Sequence, residues 1–181
     1  MTGPVGVWEH SAADPGRVAV IDVEGGETTF AELAAWSTRL AVGLLDRGLR
    51  RGDRIVVVLR SHPAFLAVQL AAAQVGLRAV PVNRHLTAAE TAYILTDSEA
   101  SVLVTGPGPG LAEMAAEAAD LAGLPPDRRF AVTAAAGMAD LTALEGAAGL
   151  DPARRRIGGT MLSRRVLLAD AIGASSWVPG A

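Results

Sequence analysis

Apolar positions along the chain switch repeatedly between two periods. From Thr29, the stretch TFAELAAWSTRLAVGLLDRG spaces Phe30, Leu33, Leu40, Leu44 and Leu45 along one helical face, with Thr29 as N-cap, Glu32 in the capping-box position and Gly48 as the stop. The run Ile55 to Leu59 is continuously apolar, the pattern of a strand covered on both faces. HPAFLAVQLAAAQVG follows as a second helix, opened by Pro63 and closed by Gly76. LRAVPVN reads as a strand whose Pro81 places it at an end or an edge. TAAETAYILTDS repeats the Thr-cap and Glu arrangement, ASVLVTG is another buried strand, and GLAEMAAEAADLAG another helix. Ahead of these, RVAVIDV (Arg17 to Val23) is a short β-branched strand that Gly25-Gly26 turns into TTF. Strand and helix alternating at these lengths predict the α/β class: a layered parallel sheet with helices on both faces. Beyond Pro125-Pro126 the pattern weakens to one strand in RRFAVTAAAG and an Ala-Gly-rich stretch up to Leu150.

Composition narrows the classes. At 181 residues, 50% hydrophobic and 19% charged, with a formal net charge of −3, the chain reads as one soluble globular domain. No run approaches the roughly 18 consecutive apolar residues of a membrane span, and MTGPVGVWEH lacks a secretory signal pattern, so the expected compartment is cytoplasmic. Cysteine is absent, which excludes disulfides, thiolate metal sites and a cysteine nucleophile. His10, His62 and His85 form no metal-ligand spacing, so no metal is expected. All 16 basic residues are arginine, which removes any chemistry that needs a lysine ammonium.

The remaining motifs read mostly as ordinary structure. VTGPGPGLAEM places Gly106, Gly108 and Gly110 between a strand and a helix, where a phosphate loop could sit. A GxGxxG spacing would need glycine where Leu111 stands, and Pro107 and Pro109 delete N–H donors, so a surface βα turn is the expectation. His62, before Pro63, reads as part of a helix N-cap; a general base would need a partner that the sequence does not identify. Ser175 and Ser176 lack the Gly-x-Ser-x-Gly elbow of a hydrolase. Arg154 to Arg156 with Arg164 and Arg165 read as a solvated basic stretch, and without interleaved aromatics they do not suggest nucleic-acid binding.

TTFAEL (Thr28 to Leu33), LLDRGLRRGDRIVVVL (Leu44 to Leu59) and HPAFLAVQLAAAQVGLRAVPVNRHLTAAETAYILTDSEASVLVT (His62 to Thr105) together resemble the opening region of the adenylate-forming enzymes, the acyl-CoA synthetase and AMP-dependent ligase superfamily. The resemblance runs over most of residues 10 to 162 and rests on the order and spacing of modest motifs. It implies residues 1–162 as the N-terminal subdomain of an AMP-binding domain. The implied reaction activates a carboxylate, with fatty acids the expected class, by ATP to an acyl-adenylate, which passes to the thiol of coenzyme A.

In that family a strand like GGTML (Gly158 to Leu162) leads into a Ser/Thr/Gly-rich loop with a lysine that holds the ATP phosphates; here Ser163-Arg164-Arg165 follows. Residues 163–181 therefore read as a divergent tail, as a frameshift, a truncated gene or a deliberate join would each produce. The resemblance implies ATP, Mg²⁺ and coenzyme A for a full-length enzyme, no cofactor or catalytic residue for this chain alone, and self-association through apolar surface left uncovered. It also implies a coenzyme A phosphate contact just after VPVN, where Arg84 or His85 stands. The residues leave a second reading open, a non-catalytic α/β module that binds a partner or small ligand.

Overall fold

The computed structural model describes residues 6–147. A short helix α1 (Val7–Ala13) precedes a two-stranded antiparallel hairpin of β1 (Val18–Ile21) and β2 (Glu27–Thr29). Then come α2 (Phe30–Asp46), β3 (Arg54–Val58), α3 (Pro63–Val75), β4 (Arg78–Pro81), α4 (Ala88–Asp97), β5 (Ala100–Thr105), α5 (Leu111–Leu121), β6 (Arg129–Ala131) and β7 (Ala139–Asp140). Strands β3 to β7 form one parallel sheet in the order β4-β3-β5-β6-β7. The class is α/β, as the alternation predicts.

Local chemistry sets the helix ends. Thr29 and Thr87 each close a reciprocal capping box, with Glu32 and Glu90 returning to the cap backbone at 2.8 Å. Pro63 opens α3 behind His62, and Gly76 ends it in the left-handed conformation, at φ 75°. Pro81 is the last residue of β4, which is an edge strand, so its missing N–H costs the sheet nothing.

The continuous apolar runs serve two cores. Ile55 and Val57 face the α2 and α3 side with Leu40, Leu44, Val68 and Phe130; Val56 and Val58 face the α4 and α5 side with Leu95, Leu103 and Ala115. Successive strand residues point to opposite faces, so a strand covered by helices on both sides must be apolar throughout.

On the first side, the chain after β7 folds back over α2 as a 3-10 turn at Leu141–Leu144. A Cβ at Gly43 would stand 1.5 Å from the Leu144 carbonyl oxygen, so glycine is what lets the two backbones meet. Arg47 clamps the same contact, donating to the Ala143 carbonyl oxygen while its guanidinium lies over the Phe130 ring at 5.2 Å.

Three features depart from the sequence reading. RVAVIDV does not join the parallel sheet. Asp22 Oδ1 accepts the Glu24 and Gly26 amides at 2.9 and 2.8 Å, which tightens the turn and returns the chain antiparallel along β1. Helix α1 arises from VWEHSAA, which has no side-chain cap and no fully buried residue to mark it. β7 lies in the Ala-Gly-rich stretch and is only two residues long. The GGTML strand, the 163–181 tail, Ser175, Ser176 and the arginines from Arg154 onward lie outside the described residues.

Candidate functional site

The strand order reverses at β3, one strand in from the β4 edge: β3 is followed by β4 on one side and β5 on the other. Loops leaving β3 and β5 in opposite directions open a crevice beyond their C-terminal ends, the usual ligand position in an open α/β sheet. The two strand ends converge closely. The Gly106 amide and the Thr105 hydroxyl both donate to the Val58 carbonyl oxygen, at 3.1 and 3.2 Å, and a Cβ at Gly106 would meet Leu59 Cδ2 at 2.4 Å.

A cavity of about 260 Å³ opens there, lined by Arg60 after β3, Arg84 after β4, and Gly108, Pro109, Gly110, Leu111 and Met114 at the start of α5. No carboxylate lines it. Neither arginine makes a hydrogen bond or ion pair among the described residues, whereas Arg39, Arg54 and Arg129 pair with Glu145, Glu99 and Asp120. Gly110 is the N-cap of α5 in the left-handed conformation, and no side chain caps that helix. The Leu111 amide of that first turn already donates to the Gly108 carbonyl oxygen at 3.2 Å and Glu113 lies in the same turn, so the positive charge at the cavity is that of the two guanidiniums.

The loop that carries Arg84 is braced at both ends. Asn83 Oδ1 accepts the His85 amide at 3.0 Å, an Asx turn, and the Thr87 capping box follows immediately. The Glu90 carboxyl is held below the ordinary glutamate value, first by the Thr87 backbone N–H and then by its hydroxyl. Arg84 thus lines the cavity, while His85 is exposed outside its lining. The GPGPG segment is a βα turn with φ 149° at Gly108 and 70° at Gly110, and it forms the cavity wall. The sequence reading did not single out Arg60. Its signal was an arginine directly after a fully apolar strand, at the carboxyl end where ligands bind.

Other candidates resolve into structure. His62 Nδ1 accepts the Ala64 amide at 3.1 Å, so this nitrogen caps α3 and cannot donate to a carboxylate. Asp22 and Ser61 line a groove with His62, but the Asp22 carboxylate is engaged by its own turn, and no Ser-His-Asp relay forms. Among the described residues, no group of three or more His, Asp or Glu could hold a metal ion. No described helix is long and apolar enough to cross a membrane.

Comparison with known proteins places this arrangement among relatives. A family model described as AMP-binding enzyme matches residues 7–156. Feruloyl-CoA synthase of an Amycolatopsis species is 39% identical over 104 residues, 57% of this chain and 21% of that protein. The long-chain-fatty-acid–CoA ligase FadD13 of Mycobacterium tuberculosis is 35% identical over 78 residues, 43% of this chain and 16% of that protein. Among solved structures, one described as a long-chain-fatty-acid CoA ligase from Rhodopseudomonas palustris superposes with a TM-score of 0.70 at 26% identity, covering 80% of this chain and 36% of that one. The chain thus spans about a fifth of the length of the feruloyl-CoA synthase it matches.

Proposed function

Because the chain belongs to the AMP-binding enzyme family, we propose that it is part of a carboxylate–CoA ligase and that its own contribution is to anchor coenzyme A. In the proposed reaction a carboxylate oxygen attacks the α-phosphorus of ATP, expelling pyrophosphate. The coenzyme A thiol then attacks the acyl carbonyl and expels AMP. Relatives named for a feruloyl and for a long-chain fatty acyl substrate support a carboxylic acid with an extended apolar body, fatty acids foremost.

Within the described residues the observation that supports the anchoring role is the cavity holding Arg84, unpaired and facing no carboxylate. A phosphate of coenzyme A supplies the missing counter-charge through charge-assisted hydrogen bonds. His85, adjacent on the same loop but outside the cavity lining, is the alternative position for this contact. No lysine occurs among the 181 residues, so a lysine clamp on the ATP phosphates would have to come from elsewhere. The chain alone is accordingly proposed to be inactive in adenylation, to act in the cytoplasm and to leave nucleic acid unbound. It is also proposed to associate with a second copy through Ile21, Val23 and Leu66, which are exposed and line one groove of about 270 Å³ with Phe65.

Acid-dependent ATP–pyrophosphate exchange, run with fatty and aryl acids beside a full-length relative, tests the inactivity of the chain alone. The expected result is exchange by the relative and none by the 181-residue chain. Exchange by the chain alone would overturn that part of the reading. A chain that binds neither coenzyme A nor its fragments, yet captures a defined protein partner, would instead favour the non-catalytic module.

A further inference from the structure

The cavity at the sheet crossover holds two guanidiniums, not one, and they come from different loops. Arg60 is exposed and lies beside Gly108: a Cβ there would be 3.5 Å from Arg60 Cδ and 4.0 Å from its Nη1, so the side chain runs along the glycine backbone toward the cavity. A methyl group there would make only ordinary contact with that stem, and it is the φ of 149° that favours glycine. Arg84 arrives from the neighbouring strand, on a loop braced by Asn83 and Thr87. The wall between them offers Gly108, Gly110, Leu111 and Met114 but no acidic side chain, and Pro107 and Pro109 carry no N–H. Recognition here therefore falls to the two arginines, each a planar multiple donor suited to phosphate oxygens.

Two formal positive charges with no counter-charge match a dianion better than a monoanion. A terminal phosphate monoester carries close to two negative charges at neutral pH because its second pKa lies near ~6. Each phosphate of a linking diphosphate carries one. On this basis, and resting on the coenzyme A reading above, we propose that Arg60 and Arg84 together form a phosphomonoester site. Arg60 is then the specificity residue that distinguishes coenzyme A, with its ribose 3′-phosphate, from 3′-dephospho-coenzyme A.

Calorimetric titration of the full 181-residue chain with coenzyme A, 3′-dephospho-coenzyme A and inorganic phosphate at low salt tests this, with Arg60→Gln, Arg60→Lys and Arg84→Gln alongside. The unsubstituted chain should favour coenzyme A over the dephospho form by about tenfold, as one to two charge-assisted hydrogen bonds allow. Arg60→Gln should abolish that preference while leaving affinity for the dephospho form within about twofold, and Arg60→Lys should restore part of it. Inorganic phosphate should compete with coenzyme A. Lowering the pH through the second phosphate ionisation, near ~6, should erase the preference without any substitution. If Arg60→Gln retains the preference while Arg84→Gln weakens coenzyme A binding, the pairing is overturned and the anchoring role of Arg84 stands. If phosphate binds in dependence on both arginines but coenzyme A does not, the anion site stands and the coenzyme A reading falls. Absence of binding by all three probes overturns both. Matching far-ultraviolet circular dichroism of the variants establishes that any loss arises in a folded chain.

Discussion

Two cavities in this protein treat charge in opposite ways. The larger, about 410 Å³, lies where α2, the hairpin and the 3-10 turn at Leu141–Leu144 meet, and is lined by Glu27, Glu32, Trp36, Arg39 and Glu145. Most of its ionic groups already have partners: Arg39 with Glu145, and Glu32 with its own helix cap. Beneath it, Gly43 lets α2 and the Leu144 backbone close to contact. The smaller cavity, about 260 Å³, has two arginines with no partner among the described residues and an uncapped helix start. Size therefore points to one, and two exposed arginines without a protein partner point to the other. The difference separates a seam that holds the domain together from the site proposed to take an anion.

The largest effect expected is at the seam. Replacing glycine by alanine within an exposed helix normally stabilises by up to about 1 kcal/mol. At Gly43 the sign should reverse, because the added methyl would sit 1.5 Å from the Leu144 oxygen and the turn must move away. Gly43→Ala should lose about 2–3 kcal/mol, read as a lowered urea midpoint. A midpoint unchanged or raised would mean that the 3-10 turn does not pack on α2 in solution.

A smaller effect is expected beside the anion cavity. Thr87→Ala removes the cap of α4 and should cost about 1 kcal/mol in the same unfolding experiment. Because that cap also braces the Arg84 loop, coenzyme A affinity should fall as well, by a few-fold. The matching change on the seam side, Thr29→Ala, should cost similar stability and leave affinity alone. Equal losses of affinity in the two variants would break the distinction between the regions.

The smallest effect is one of pH. Glu32 and Glu90 lie below the ordinary glutamate value, held there by the backbone and side chain of Thr29 and Thr87. A carboxyl depressed on folding adds stability that is fully present above its unfolded value and is lost as pH falls through the folded one. Both groups are exposed, so the loss on acidification below the usual glutamate range should be shallow, and each Thr→Ala variant should flatten it. A decline that remained equally steep in the double Thr29→Ala, Thr87→Ala variant would place its origin elsewhere.

Much of this fold was legible because local signals agreed with their tertiary setting. Thr29-Glu32 and Thr87-Glu90 fix two helix starts by chemistry that acts within four residues, and Pro63 with Gly76 brackets a third helix. The apolar runs of β3 and β5 announced strands buried on both faces. The hairpin was less legible: RVAVIDV has the composition of a sheet strand, and only Asp22 with Gly25-Gly26 indicated that the chain would turn straight back. The apolar surface that is exposed among the described residues is not on β3 or β5, which are buried on both sides, and its Ile21 and Val23 belong to the hairpin. Arg84 could be singled out by resemblance. Arg60 was signalled only by its place directly after the apolar run Ile55 to Leu59, and its setting depends on a crossover that brings the ends of β3 and β4 beside the start of α5.

The most direct test of the contrast between the two cavities is a nitrogen-15 backbone NMR titration of the chain with coenzyme A. The account predicts saturable shift changes at the amides of Arg60, Arg84, Gly108 and Gly110 to Met114, with the amides of Gly43, Glu145 and Gly146 unmoved. Changes confined to the α2 seam, or spread evenly over the surface without saturation, would contradict it.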